Sequence, residues 1–199
     1  MKHHAIATAC SIYQSAAGFG ILAANDNGLV AHNLPFGATS ARAAHDLSAT
    51  LHPQAKEESL LTREGAALLA RYFGGERVAF DLPLDLEEFT PFQRSVYRVV
   101  AGIPYGTALS YLEVAAACGS PKGARAIGGA MARNPLPILI PCHRVVGASG
   151  VMTGFTAPGG VASKRELLLM EGAAFDARGG VLRADSCGVM HRISTGPTD

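Results

Sequence analysis

Residues 110–133, SYLEVAAACGSPKGARAIGGAMAR, contain the pattern that decides the fold of the C-terminal half. Residues 110–118 predict a short helix, a Gly-Ser turn follows, and residues 121–133 predict a second helix. Two short helices at this spacing are typical of a helix-turn-helix, a motif that binds DNA. The second helix is expected to end at Asn134, because Pro135 disfavours helical geometry in the residue before it.

Further elements are expected on both sides of this motif. Residues 90–93, TPFQ, are typical of a capped helix start, with a proline in the first turn and a glutamine three residues after the threonine. Apolar residues at helical spacing follow up to Gly102. An apolar extended segment is predicted at residues 136–140 and a closing helix at residues 164–172. These elements predict a mainly α, winged helix-turn-helix-like domain over residues 86–183.

The first 85 residues predict a different kind of domain, a small α/β domain with one sheet and helices. Strands are predicted at residues 6–13, 18–25 and 29–31, with a hairpin turn at residues 25–28, and helices at residues 41–51 and 63–73. Residues 83–91 are acidic and hold two prolines, which is typical of a linker. Residues 184–199 have little apolar pattern and are expected to be a loose tail.

The overall composition excludes several classes of protein. Of the 199 residues, 48% are hydrophobic and 17% are charged, which excludes a disordered chain. No stretch of 18 apolar residues occurs, so no transmembrane helix is predicted. The start of the chain contains histidines and polar interruptions where a signal peptide needs a continuous apolar core. A cytoplasmic protein is therefore expected.

The four cysteines, at positions 10, 118, 142 and 187, form no CxxC pair. Their spacing indicates neither a disulfide framework nor a zinc ribbon. His3, His4 and Cys10 do not form a recognisable ligand set either. We therefore expect reduced cysteines and no metal site.

The net charge of +1 conceals an uneven distribution along the chain. Residues 1–88 carry six Lys and Arg against ten Asp and Glu, whereas residues 89–171 carry eight against three. Residues 114–165 contain six cations and no carboxylate. A basic stretch without acids is expected of a surface that binds a polyanion, although an acid-poor protein can also produce one by chance.

The pentad Pro141-Cys142-His143-Arg144-Val145 is the strongest candidate for a reactive site. A cysteine attacks as its thiolate, and neighbouring cationic or basic groups lower its pKa. His143 and Arg144 adjoin Cys142 in sequence, but the side chains of neighbouring residues in an extended chain point to opposite sides. From these residues alone, a nucleophile and a buried packing cysteine both remain open.

Longer segments around the pentad resemble a known family. ILIPCHRVVGASG (138–150), SYLEVAAACGSPKGARAIGGAMARNPLP (110–137) and SKRELLLMEG (163–172) closely resemble the O6-methylguanine-DNA methyltransferases, and residues 89–111 are similar to the start of the same domain. The first 85 residues resemble the family's variable N-terminal domain only in size and α/β character. The resemblance implies a DNA repair protein that transfers the alkyl group of O6-alkylguanine to its own cysteine.

The resemblance implies roles for four catalytic residues. Cys142 takes the alkyl group and keeps it as a thioether. His143 draws the thiol proton through a water and Glu171 orients His143, which is the nucleophile, base and orienter arrangement of an activated cysteine. Tyr111 helps the base to leave as a neutral molecule. No cofactor is implied, and each molecule turns over once, because a thioether offers no easy leaving group.

The resemblance also implies how the chain binds duplex DNA. The target base is flipped out of the stack, the second helix of the helix-turn-helix enters the minor groove, and Arg125 fills the vacated space. Ala126, Lys122 and Arg133 are assigned to the same DNA contact. The small residues around Arg125 either permit close approach to DNA or pack tightly against another helix. A monomer without a membrane partner is expected.

Four further residues are assigned to the substrate pocket. Asn134 links the recognition helix to the cysteine segment, and Val145 ends the pentad. Phe155 stands where the family usually has a tyrosine and is expected to stack on the base. Because the loop at residues 154–160 is longer than is usual in the family, the backbone N–H for the guanine oxygen is assigned to Thr156.

Three rival functions explain less of the sequence. A helix-turn-helix regulator leaves Cys142, His143 and Glu171 without a role, and a helix of Gly and Ala offers few side chains for base edges. A cysteine hydrolase does not explain the acid-free stretch. A damage sensor related to the family binds alkylated guanine without repairing it, but such relatives lack the cysteine present at position 142. The preferred alkyl group and the role of the N-terminal domain stay open.

Overall fold

The computed structural model describes residues 5–183, and these residues form two compact units. The first unit extends to Glu88 and also includes Pro135–Pro137, and the second comprises Phe89–Asn134 and the chain from Ile138 on. The sequence predicted one domain boundary, after residue 85. The structure adds residues 135–137 to the first unit, where the backbone N–H of His32 donates to the carbonyl of Pro135 at 2.8 Å. The expected loose tail, with Cys187, and His3 and His4 lie outside the described residues.

The first unit contains one antiparallel sheet with two helices. Its strands, in the order β1-β2-β3, and its helices are β1 Ala9–Ser15, β2 Gly18–Asn25, β3 Gly28–Ala38, α1 Ala41–Leu51 and α2 Leu60–Phe73. The bounds predicted for β2 and α1 are confirmed. The prediction for β3, residues 29–31, was too short, since the strand continues through Pro35 to Ala38. A proline is tolerated on an edge strand, and β3 is one; its pairing with β2 is also irregular between Phe19 and Ile21.

A capping box at the start of α2 and a set of buried apolar residues stabilise this unit. Ser59 and Thr62 form a reciprocal capping box at the start of α2, so this helix begins three residues earlier than predicted. The apolar face of α2 is buried at Ala66, Leu69 and Tyr72. Leu22 of β2 is fully buried too. The core of the first unit therefore lies between the sheet and its helices.

A buried histidine connects three segments of the first unit. His32 on β3 is 4% exposed, and its Nδ1 lies 2.6 Å from the carbonyl oxygen of Pro137. Since a carbonyl only accepts, Nδ1 carries the proton and Nε2 accepts from the Tyr13 hydroxyl at 2.7 Å. Burial lowers the pKa of His32 to about 4, although the bond to Pro137 opposes this shift. His32 is therefore neutral at physiological pH.

We expect the first unit to lose stability in acid because of His32. Its pKa is 6.5 in an unfolded chain and about 4 in the fold, so the unfolded state binds more protons between these values. The contribution of neutral His32 is complete above pH 6.5 and is lost as the pH falls toward 4, up to about 3 kcal/mol. Urea unfolding at several pH values measures it. His32→Asn should flatten this dependence, whereas exposed His45→Asn should leave it unchanged; equal slopes in both variants would contradict the assignment.

The second unit is mainly helical. Its elements are α3 Pro91–Ala101, β4 Leu109–Ser110, α4 Tyr111–Ala117, α5 Ala124–Met131, β5 Val145–Val146 and α6 Val161–Met170. The predicted capping box of α3 is confirmed, with Thr90 and Gln93 binding each other's backbone N–H groups. The core includes Val96, Val100, Val114, Ile127 and Leu168. No helix among residues 5–183 is long and apolar enough to cross a membrane.

Two predicted helices in this unit had wrong bounds. The second helix of the helix-turn-helix was predicted at residues 121–133 but covers Ala124–Met131, because the Gly123 N–H closes a turn on the Ser120 carbonyl at 2.7 Å. The closing helix was predicted at residues 164–172 but covers Val161–Met170. Glu171 is therefore the C-terminal cap of α6 and not one of its helical residues.

A short parallel pairing sets the position of the helix-turn-helix within the second unit. Leu109 and Ser110 of β4 pair with Val145 and Val146 of β5. Ser110 also caps α4 by accepting from the Glu113 N–H. As a result, α4 begins at Tyr111 beside the strand β5, whose first residue, Val145, is the last residue of the Cys142 pentad.

Candidate active site

Cys142 opens a single 3₁₀ turn, Cys142–Arg144, at the end of the buried segment 138–141. The Cys142 N–H donates to the Ile140 carbonyl at 2.7 Å, and the Asn134 side-chain amide donates to the same oxygen at 2.7 Å. Cys142 is 8% exposed. Since Cys142, His143 and Arg144 form a turn and not a strand, their side chains do not simply alternate between two faces.

His143 and Glu171 form a completely buried pair. Nε2 of His143 lies 2.8 Å from Oε1 of Glu171, and both side chains are 0% exposed. Because a carboxylate accepts, Nε2 carries the proton in this contact and Nδ1 carries the lone pair. The structure thus brings together the two residues that the sequence separated by 28 positions.

Arg144 is a member of this site that the sequence analysis did not assign. Its Nε and Nη2 donate to the two oxygens of Glu171 at 2.9 and 2.8 Å, and its Nη1 donates to the Ile103 carbonyl at 2.6 Å. The N–H of Gly106 donates to Glu171 Oε2 at 3.1 Å. A bidentate guanidinium pair of this kind fixes the carboxylate in one orientation.

The environment sets the charge of each group. Burial alone would raise the pKa of Glu171, but hydrogen bonds and charges from His143 and Arg144 outweigh it and hold this pKa well below its usual range. Burial lowers the pKa of His143, against the opposing effect of Glu171. At neutral pH the site therefore contains a carboxylate, a guanidinium and a neutral imidazole.

The thiol of Cys142 experiences opposing influences. Burial raises its pKa, while a hydrogen bond from Asn134, the charge of Lys164 and the backbone N–H groups of Cys142 and His143 lower it. The net direction is upward, so the resting residue is a thiol. A base is needed to generate the nucleophile, and the groups that favour the thiolate already surround the sulfur.

Tyr111 and Lys164 meet at one backbone carbonyl. The Tyr111 hydroxyl donates to the Thr153 carbonyl at 3.3 Å, and the ammonium of Lys164 lies 3.3 Å from the same oxygen. Burial raises the pKa of Tyr111, and so does the negative charge of ionised Cys142, although the bond to Thr153 opposes them. Tyr111 is therefore a protonated donor near the thiol.

The remaining residues assigned to the pocket differ in accessibility. Val145 is 0% exposed, and its carbonyl accepts from Lys164 at 2.6 Å. Phe155 is half-buried and Thr156 is exposed. These two residues belong to the loop after Thr153, in which Gly154, Gly159 and Gly160 adopt positive φ angles.

The residues assigned to DNA contact all lie on the surface of the helix-turn-helix. Lys122 precedes α5, Arg125 and Ala126 are in its first turn, and Arg133 follows it; all four are exposed. Ile127 and Ala130 face inward and are fully buried. Helix α5 therefore has one packed face and one open face.

The six cations of the basic stretch at residues 114–165 differ in burial, which the sequence could not show. Arg144 and Lys164 are buried at the candidate site, whereas Lys122, Arg125 and Arg133 are exposed. The sixth, Arg165, is half-buried over the ring of Phe175. The sequence pointed to Arg144 through its place in the Cys142 pentad and to Lys164 only through the absence of acids. Their burial had to come from the tertiary structure.

Comparison with known proteins identifies the family. A family model described as the DNA-binding domain of 6-O-methylguanine DNA methyltransferase matches residues 91–173. Over 111 residues the chain is 45% identical to a methylated-DNA–protein-cysteine methyltransferase of Methanosarcina acetivorans, covering 56% of this chain and 69% of the relative. The chain belongs to the O6-methylguanine-DNA methyltransferase family. This confirms the resemblance noted in the sequence.

One further sequence relative and one solved structure are also similar to the chain. The constitutive methylated-DNA–protein-cysteine methyltransferase of Bacillus subtilis is 44% identical over 110 residues, 55% of this chain and 66% of the relative, so the match spans just under two thirds of its length. The structure of Mycobacterium tuberculosis OGT in complex with DNA is similar with a TM-score of 0.66 and 35% identity, covering 81% of this chain and 91% of that one. This similarity confirms the predicted fold class, an α/β N-terminal part followed by a helical DNA-binding part.

Proposed function

We propose that this protein repairs duplex DNA by transferring the alkyl group of O6-alkylguanine to Cys142. The observation that carries this proposal is the buried His143–Glu171 pair, whose histidine directly follows Cys142 in the chain. Cys142 itself is a buried thiol with thiolate-favouring groups around its sulfur. A regulator that only binds DNA has no need for a buried base next to a thiol. The family relationship and the DNA complex of the structural neighbour support the same conclusion.

In the proposed reaction His143 is the general base. With its Nε2 proton held by Glu171, the lone pair on Nδ1 takes the proton of the Cys142 thiol through a water. Glu171, fixed by Arg144, orients the ring and stabilises the imidazolium that forms. The sulfur then attacks the alkyl carbon, the S–C bond forms and the bond from that carbon to guanine O6 breaks.

Tyr111 is proposed to protonate the leaving guanine. Its raised pKa keeps the hydroxyl protonated at neutral pH, so it can donate to the base as negative charge develops there. Solvent then restores the Tyr111 proton, and the proton taken up by His143 returns to solvent. The products are neutral guanine and a thioether on Cys142, so one molecule repairs one lesion without a cofactor.

The open face of α5 supports a close approach to the minor groove. Arg125, Gly128, Gly129 and Ala132 follow helical spacing, and a Cβ added to Gly128 would meet no atom of the protein within 4 Å. Tight packing against another helix therefore does not explain Gly128. We propose that this face lies against DNA and that Arg125 enters the space of a flipped base, with Ala126, Lys122 and Arg133 at its edge.

The substrate pocket is proposed to lie between Cys142 and the loop after Thr153. Asn134 and Val145 support its floor, Phe155 stacks on the extruded base, and the Thr156 N–H binds guanine oxygen. The protein is proposed to act as a monomer in the cytoplasm, where a reactive thiol stays reduced.

The proposal is tested by following the DNA. Protein is mixed with an equimolar amount of a duplex that contains one O6-methylguanine, and the bases of the DNA are then analysed. Repair converts one lesion per protein molecule into guanine, and added protein restores the reaction. A regulator or a damage sensor would bind the duplex and leave the lesion intact. A cysteine hydrolase would neither bind the duplex nor repair the lesion.

Duplex binding is expected to weaken with salt to a modest extent. The exposed cations of the DNA face are Lys122, Arg125 and Arg133, and each neutralised phosphate contributes about 0.9 to the slope of log K against log salt, so we expect a slope of about −3. Buried Arg144 and Lys164 should not contribute. Titrations of labelled duplex at several salt concentrations measure the slope, and an affinity that does not change with salt would contradict the assigned surface.

A further inference from the structure

Lys164 is a buried charged residue to which the proposed reaction gives no role. It lies in the first turn of α6 and is 0% exposed. Its ammonium donates to the carbonyls of Val145 at 2.6 Å and Thr153 at 3.3 Å, and it lies 5.9 Å from the centre of the Tyr111 ring. Burial lowers the pKa of Lys164 to about 8, and the negative charge of ionised Cys142 opposes that shift. The ammonium therefore remains mainly protonated at neutral pH.

Of the two buried cations at the site, only Arg144 is paired with a carboxylate among residues 5–183. Arg144, the other buried cation of the site, is matched by the carboxylate of Glu171. The hydrogen-bond partners of Lys164 among the described residues are neutral carbonyls. A buried cation is costly unless an anion compensates it. The group that can become that anion is the thiol of Cys142, because the Val145 whose carbonyl binds Lys164 also closes the 3₁₀ turn of Cys142 by donating its N–H to the Cys142 carbonyl.

We propose that the Lys164 ammonium is the counter-ion of the Cys142 thiolate and stabilises it from deprotonation until the alkyl group is transferred. Lys164 is a positioning and charge-balancing residue in this scheme, because it donates no proton and forms no bond to substrate. The thiol proton goes to His143 as before. The use of this thiolate in DNA repair rests on the proposed function, whereas its stabilisation by Lys164 does not.

Other titratable groups face the same thiol, so a test must leave these residues unchanged. They are Tyr111 at the start of α4, His143 in the 3₁₀ turn and, through His143, Arg144 and Glu171. Lys164 also ties β5 to the loop at Thr153, so a purely structural role is the competing explanation. Replacing the lysine by side chains of similar length, with and without a charge, distinguishes the effect of its charge from its structural role.

The test is the rate of Cys142 alkylation by iodoacetamide in the full chain at pH 7, where the Lys164 ammonium is mainly protonated, followed by peptide mass mapping. Lys164→Met should lower this rate about tenfold, which corresponds to a thiol pKa about one unit higher and a tenfold lower thiolate fraction. Lys164→Arg, which keeps the charge, should restore the wild-type rate, and exposed Lys56→Met is the matched control.

A melting temperature for each variant distinguishes the two explanations. An unchanged alkylation rate at pH 7 in Lys164→Met, with or without a lower melting temperature, would overturn the counter-ion role. If Lys164→Met does not fold, Lys164→Gln, which keeps a donor for the Val145 carbonyl, carries the same test. The alkylation assay contains no DNA. A lower alkylation rate in Lys164→Met, found together with a wild-type protein that leaves O6-methylguanine unrepaired, would therefore refute the proposed function and leave the counter-ion role standing.

Discussion

Replacement of Cys142 by serine is expected to abolish alkyl transfer while duplex binding is retained. A serine hydroxyl has a far higher pKa than a thiol, so the neutral His143 imidazole cannot generate its anion to a useful extent. Affinity for DNA comes mainly from phosphate contacts, and the exposed cations of α5 are unchanged by this substitution. Single-turnover transfer assays and duplex titrations measure the two effects separately.

Cys10 and Cys118 provide matched controls for this substitution. Burial raises the pKa of both thiols, and the Cys10 sulfur lies 3.1 Å from the Ser48 hydroxyl and not beside a base. Cys10→Ser and Cys118→Ser should therefore transfer at the wild-type rate. A Cys142→Ser protein that still demethylates DNA would show that another residue accepts the alkyl group.

Replacement of Arg125 by alanine is expected to slow transfer from duplex DNA by about a hundredfold or more. If Arg125 occupies the gap left by an extruded base, its loss penalises the flipped state by a few kcal/mol, the order of the cost of unstacking. Free O6-methylguanine needs no flipping, so the small rate toward the free base should be almost unchanged. The ratio of the two rates is therefore the quantity to measure.

Two other roles of Arg125 predict different ratios. An arginine that only neutralises a phosphate would lower affinity and reduce the salt slope by about one, while sparing the rate at saturation. An arginine that supports the fold would depress both reactions together and lower the melting temperature. Arg63→Ala, an exposed arginine on α2, is the control. Equal losses on duplex and free base would contradict the base-flipping role.

Local sequence patterns predicted most of the elements of this fold. The helix at Ala41–Leu51 and the capping box at Thr90 and Gln93 follow from short-range rules and were predicted correctly. The errors at the starts of α2 and α5 have local causes, whereas others occurred where a longer-range contact decides the structure. Pro35 lies in a strand because that strand is at the edge of the sheet, and Pro135–Pro137 belong to the first unit because His32 binds there.

The candidate site was predicted in part. Cys142, His143 and Glu171 follow from the family resemblance, and the structure places the last two in contact. The roles of Arg144 and Lys164 could not be predicted, because a charged residue in a sequence looks the same whether it faces solvent or a buried anion. Only the three-dimensional arrangement separates the cations that balance the site from those that can meet DNA.

The mass of the protein after reaction with methylated duplex tests the central claim most directly. After incubation with a duplex that contains O6-methylguanine, the intact protein should gain the mass of one methyl group, and peptide mapping should place it on Cys142. The same protein incubated with unmethylated duplex should show no change. An unchanged mass, or a methyl group on any residue other than Cys142, would contradict the account.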